Sequence, residues 1–225
     1  MIVTRTYNEP PICEKEMLRY AGCKSSEDEL LQPLRACIEE VRERLSYKVC
    51  YRELPVKIVD DRCDFGFFTI SSRDLARNLK DCSSVILFAA TVGIEMDRLI
   101  ARYARVSPSK AVLLQGIGAE RIESLCDKFC EDIVWEKRCS LRPRYSPGYG
   151  DVPLEAQKYF FEMLDCAKQI GVSLNESLLM SPSKSVTAFV GITERTDEEN
   201  ERNVIENRNK CVACKKTDCA YRGVL

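Results

Sequence analysis

Tyr47-Lys-Val-Cys-Tyr-Arg-Glu-Leu-Pro-Val-Lys-Ile-Val-Asp-Asp-Arg-Cys-Asp-Phe-Gly-Phe-Phe-Thr-Ile70 is the stretch whose reading decides the fold class. β-Branched and aromatic residues crowd it, and Pro55 and Asp60-Asp61 divide it into short runs, 47–54, 56–59 and 65–70. Strands that follow one another this closely pair antiparallel, because a parallel neighbour needs a crossover of a dozen or more residues. The sequence just beyond changes to a helical period. Ser71 or Ser72 caps a helix reaching Leu79, with Asp74 in its first turn. Ser84-Val-Ile-Leu-Phe-Ala-Ala-Thr-Val92 is continuously apolar, which predicts a central strand covered on both faces. Gly93 ends it, and a helix from Ile94 to Tyr103 follows. Ser107-Pro108 then opens a long helix running to about Arg138.

Upstream, residues 1–12 read as extended, since Pro10-Pro11 forbids a helix. A short helix, Cys13–Tyr20, stops at Gly22. A longer one spans Ser26 to Leu45, with a Ser26/Glu29 capping box and Leu30, Leu34, Cys37, Ile38 and Val41 at helical spacing. Pro33, early in this helix, is expected to delay its start. Downstream of the long helix lies a turn-rich loop, 139–153. A helix from Leu154 to Ile170 follows, stopped by Gly171, and then a turn feeding a strand, Ser185–Ile192. Residues 193–210 are strongly polar. The expected fold is a single α+β domain over residues 1–195, a twisted, largely antiparallel sheet with packed helices. Residues 196–225 form a polar linker and a short cysteine-bearing tail.

The 225 residues carry 34 Lys and Arg against 35 Asp and Glu, so the net charge is −1, and no basic block suits a nucleic-acid groove or a membrane surface. No apolar run is long enough to cross a bilayer, and Met1–Pro11 lacks the apolar core of a signal peptide, so a cytoplasmic location is expected. The 13 cysteines are odd in number and lie mostly inside helix and strand patterns. Cys37, Cys126 and Cys166 therefore read as small buried hydrophobes of a reduced protein. Histidine is absent. That removes the commonest general base and metal ligand, so any difficult chemistry must be brought by a cofactor or a partner.

Three places carry candidate chemistry. In Cys139-Ser-Leu-Arg-Pro-Arg-Tyr-Ser-Pro-Gly-Tyr-Gly-Asp-Val-Pro153 the prolines stiffen the backbone and the glycines open shapes closed to other residues. Arg144, Tyr145 and Tyr149 add donors and flat rings. This is either a rigid connector or a loop that closes over a small, partly anionic, partly planar ligand. On the long helix, Leu113, Ile117, Ile122, Leu125, Phe129 and Ile133 form a core stripe, while Gly116, Ala119 and Glu123 fall on another line. Gly116 and Gly118 imply close approach to the backbone, either by a ligand or by tight packing against the sheet with Glu123 in water. In the tail, Cys211 and Cys214 have the two-residue gap of a metal clip, and Cys219 follows. Three thiols are one ligand short of a zinc or iron–sulfur site, and a plain thiol-bearing tail is the alternative.

Three ordered segments of the chain resemble the activation domain of cobalamin-dependent methionine synthase. Arg144-Tyr-Ser-Pro-Gly-Tyr149 is similar to the family's Arg-x-x-x-Gly-Tyr loop. Leu87-Phe-Ala-Ala-Thr-Val-Gly93 looks like the strand and turn before its long helix, and Met180-Ser-Pro-Ser-Lys-Ser-Val186 like its Met-x-Pro-x-x-Ser-Val segment. Together they cover about residues 80–192. The resemblance implies S-adenosylmethionine binding in support of reductive methylation of cob(II)alamin, with the electron supplied by a flavodoxin-like donor. It implies that Arg144 pairs with the methionyl carboxylate and that Gly148 lets the backbone approach the ligand. The resemblance further implies that Ser146 and Tyr149 line the pocket and that Glu123, or in a shifted register Glu120, matches the family's acidic residue on the long helix. No acidic residue in 1–46 matches the one the family carries near its N-terminal edge. The modules for homocysteine, folate and cobalamin have no counterpart. The expectation is thus a free-standing component that meets a separate cobalamin-binding methionine synthase or other corrinoid protein. The alternative is a redox or corrinoid-interaction module built on a metal or cluster at Cys211, Cys214 and Cys219.

Overall fold

A computed structural model describes residues 1–23 and 27–193. In chain order the strands are β1 (Val3–Tyr7), β2 (Tyr47–Pro55), β3 (Lys57–Val59), β4 (Arg62–Asp64), β5 (Thr69–Ser71), β6 (Ser84–Thr91), β7 (Ser140–Leu141), β8 (Ser173–Leu174), β9 (Met180–Ser181) and β10 (Ser185–Thr193). The helices are α1 (Glu14–Tyr20), α2 (Glu27–Val41), α3 (Arg73–Asn78), α4 (Glu95–Val106), α5 (Pro108–Lys137), α6 (Gln157–Leu164) and α7 (Cys166–Ile170). The main sheet has the order β1-β2-β6-β10-β7, and every pair in it is antiparallel. A small sheet, β3-β4-β5, and the β8-β9 ribbon complete an α+β fold of the expected class.

β6 explains why its sequence is apolar throughout. Ile86, Phe88, Ala90 and Val92 enter a core with α1, α2, α4 and α5. Val85, Leu87 and Ala89 point the other way, into a second core with α3, α6, α7 and the small sheet. Alternate side chains of a strand leave on opposite faces, so a strand sandwiched between two helical layers has no polar side. Cys37, Cys126 and Cys166 are all buried, as their patterns required. Among the described residues no helix is long and apolar enough to cross a membrane.

Three expectations need correction. The run 65–70 is not one strand. Gly66 takes φ +80°, Phe65 N–H donates to the Phe68 carbonyl at 3.0 Å, and the ladder resumes only at Thr69. The break lets Phe65 bury completely while Phe67 stays 60% exposed. The helix expected over 154–170 is divided into a 3-10 turn (Leu154–Ala156), α6 and α7. Asp165 sits in the left-handed region, φ +47°, an excursion that aspartate tolerates. The redirected α7 then buries Cys166 and Ile170. Finally, α2 starts at Glu27 with Pro33 inside it and ends at Val41 rather than Leu45. The chain must turn back there, because Ser46 N–H donates to the Val92 carbonyl at the head of β2. The capping serine, Ser26, lies outside the described residues, as do Cys211, Cys214 and Cys219.

Candidate functional site

α5 ends where Arg138 enters the left-handed region at φ 50°. The chain then lies along the outer edge of β10. Ser140 and Leu141 pair with Thr193 and Ile192, Arg142 N–H donates to the Gly191 carbonyl, and Tyr145 and Phe189 exchange two bonds of 2.9 and 2.8 Å. The proline-rich loop therefore begins as an irregular edge strand. Side chains alternate along it, which directs Arg144 to α5 and packs Tyr145 against the opposite core. Past Tyr145 the chain folds on itself. Tyr149 N–H donates to Ser146, Val152 to Tyr149 and Gly148 to Val152, with Gly148 at φ +85°. Only a residue without a side chain takes that angle without strain.

Arg144 is the hub. Its Nη2 lies 2.8 Å from Glu123 Oε2 and its Nη1 2.5 Å from Asp127 Oδ1. Glu123 and Asp127 are one turn apart on α5, so one helix face presents both carboxylates to one guanidinium. The Arg144 side chain is 26% exposed, but Glu123 and Asp127 are 42% and 65% exposed, so the pairs open directly to solvent. Beneath them lie two thiols. Burial pushes Cys126 well above the ordinary thiol range, and Cys130 is raised for the same reason although Arg144 pulls against it. Both are neutral at physiological pH, and the floor under Arg144 carries no charge of its own.

The structure brings Glu123 to Arg144 and keeps Glu120 elsewhere. Glu120 is 2% exposed, and both its oxygens are taken. Arg121 donates to them at 2.6 and 2.7 Å, Ser124 at 2.8 Å and Cys13 N–H at 3.1 Å. Arg121 in turn donates to the carbonyls of Pro10 and Pro11. That network closes the N-terminal segment over α5. Gly116 has a packing role: a Cβ there would lie 2.3 Å from the Met17 carbonyl oxygen, so the approaching backbone is that of α1, not of the sheet. Gly118 makes room for the stem of Lys184, from the segment before β10. The Lys184 ammonium is pulled below its ordinary pKa by burial, with Asp97 opposing. Ser146 is half-buried, and Gly148 and Tyr149 are exposed at the loop tip, the Tyr149 ring at 68%.

Two neighbours had no signal in the sequence. Asp127 belongs to a polar face that reads as solvated surface. Tyr20 ends α1, and burial, then the Glu123 charge, raises its pKa. The Arg19 guanidinium stacks 4.4 Å from its ring centroid. Only the packing of α1 on α5 brings Tyr20 within reach of the Glu123 charge.

Comparison with known proteins agrees with this layout. A solved structure described as the MetH reactivation domain bound to AdoHcy superposes with a TM-score of 0.67, over 93% of this chain and 88% of that one. The identity is 12%, so the likeness establishes a shared fold. Curated proteins offer no match. The family model for the vitamin B12 dependent methionine synthase activation domain matches residues 73–200, more than half of the chain, and spans β6, α5, the loop and β10. The chain belongs to the family of vitamin B12 dependent methionine synthase activation domains.

Proposed function

We propose that this protein binds S-adenosylmethionine at the Arg144 loop and supports reductive methylation of cob(II)alamin held by a separate cobalamin-dependent methionine synthase or related corrinoid protein. A flavodoxin-like donor supplies the electron in this reading. Family membership supports it, and one observation carries it: a guanidinium and a carboxylate, Arg144 and Glu123, meet 2.8 Å apart at a solvent-open edge. An amino-acid head group bears a carboxylate beside an ammonium, and the two side chains offer its complement. Arg144 has the planar fork that matches a carboxylate with two parallel bonds. Glu123 takes the ammonium. Gly148 brings bare backbone toward the ligand, Ser146 adds a hydroxyl, and the exposed Tyr149 ring supplies a flat face for a purine. Glu120, with both oxygens engaged inside the protein, has no part in the site.

When bound, S-adenosylmethionine supplies an electrophilic methyl group. The chain's own residues fix its head group and exclude water from one side, which needs no general base. A protein without histidine suffices for that task. The test is titration calorimetry with S-adenosylmethionine and with S-adenosylhomocysteine. Arg144→Ala is expected to weaken both by about 10- to 100-fold, the worth of charge-assisted hydrogen bonds. Unchanged affinity in that variant, or no binding by the unaltered chain, sinks the assignment. Methylation of a cobalamin protein under reductant then separates a reactivating component from a simple binder. Metal content of the purified protein tests the alternative role for Cys211, Cys214 and Cys219.

A further inference from the structure

α3 contains none of the loop's motif residues, yet it grips the loop at both ends. At the C-terminal end of α3, Asn78 Nδ2 donates to the Pro143 carbonyl at 3.1 Å, just before Arg144. At its start, the Asp151 carboxylate accepts from the Ser72 hydroxyl, from Arg73 N–H at 2.8 Å and from Asp74 N–H at 3.3 Å. The first N–H groups of a helix have no partner within it, and an outside carboxylate satisfies them. Ser72 also accepts from Leu75 N–H, so the Asp151 contact and the helix's own cap share one hydroxyl. Between these anchors Gly150 is pressed close. A Cβ there would lie 2.3 Å from the Tyr145 hydroxyl oxygen and 2.6 Å from Asp74 Oδ2. Asp151 is followed by Val152, which is 2% exposed and seals the junction.

We propose that Asp151 is a positioning residue for ligand binding: by latching the loop to the start of α3 it holds Ser146, Gly148 and Tyr149 in their bound arrangement before ligand arrives. This rests on the binding role proposed above for the same loop. Without the latch, the loop keeps its bonds at Tyr145, its own turn bonds and the buried Pro147 and Val152, but among the described residues no hydrogen bond then ties its far end to α3. Ligand binding must then order residues 146–150, and the affinity falls by that entropy.

The test combines calorimetry with S-adenosylhomocysteine and amide hydrogen exchange on the full chain. Asp151→Ala is expected to weaken binding about tenfold, in the range for loss of a capping carboxylate. Exchange at Gly148, Tyr149 and Val152 is expected to accelerate while α5 stays protected. Asp151→Asn keeps one of the two accepting oxygens and sets an amide NH2 against the donor that met the other, so it should restore only part of both. Ser72→Ala, a milder cut at the same junction, should move both readouts in the same direction and serves if Asp151→Ala does not fold. Unaltered loop exchange in both Asp151→Ala and Ser72→Ala overturns the latch. Faster exchange with unaltered affinity overturns its link to binding. If the unaltered chain binds no ligand, the binding role fails with this proposal, whereas exchange still judges the latch itself.

Discussion

At the scale of single residues, two guanidiniums that pair with carboxylates of α5, Arg121 and Arg144, have opposite duties. Arg121 is 1% exposed and fully committed to Glu120 and the prolyl carbonyls, a bond set that welds the N-terminal segment to α5. Glu120→Ala leaves that charge buried without its partner. It is expected to cost about 3–5 kcal/mol, read as a lower midpoint in urea. Arg144 is held by two carboxylates that face water, a contact that an arriving carboxylate can replace. Asp127→Asn is expected to improve binding of S-adenosylhomocysteine a few-fold, because the neutral amide competes less for Nη1, whereas Glu123→Ala weakens it. Calorimetry on the two variants checks the signs. Sequence alone points to Arg144 and the Gly148 turn, because prolines and glycines announce a special backbone. It is silent on Asp127 and Tyr20, whose place at the site comes from elements that meet only in the fold. The ambiguity between Glu120 and Glu123 is of the same kind: three positions apart, they read alike until packing shows which one faces inward.

At the scale of elements, composition and period identified β2, β6 and β10 and the core stripe of α5, and caps and breakers placed α1, α3 and α4, whereas β1 read only as extended chain and β7 as loop. Period failed where one residue redirects the backbone, as at Gly66 and Asp165, since a left-handed φ leaves no periodic trace. The junction of α1 and α5 yields a sharp prediction. Gly116→Ala drives a methyl into the Met17 carbonyl and the Ala21 backbone, and neither can rotate away. The expected loss is about 1–3 kcal/mol or more, with a lower melting temperature. Gly118→Ala meets the flexible side chains of Met96 and Lys184 and is expected to cost less in the same measurement. α2 is tied to α5 by Glu40, which accepts from Lys110 at 2.5 Å and from Tyr103 at 2.8 Å. The Lys110 bond holds the Glu40 carboxyl below its ordinary 4.5, against the opposing effect of burial. A group whose pKa is lower in the folded state lends stability above its unfolded pKa and loses it as the pH falls through the folded one. Acid titration should therefore erode this contribution only below about pH 4.5, and Glu40→Gln should flatten that part of the profile.

At the scale of the whole molecule, α3 and the far end of the loop lie with one core, α1 and α5 with the other, and β10 sends side chains into both. Arg144 and Glu123 join the loop to α5. The loop's attachment to β10 has a consequence beyond any ligand. A β-sheet ends in a row of unpaired peptide groups, which recruit the strands of other molecules unless something covers them. The stretch from Ser140 to Tyr145 covers that row on β10. A version of the chain with this stretch cut away is therefore expected to self-associate, and Pro143 within it keeps the cover from becoming a regular strand that a neighbouring copy could extend.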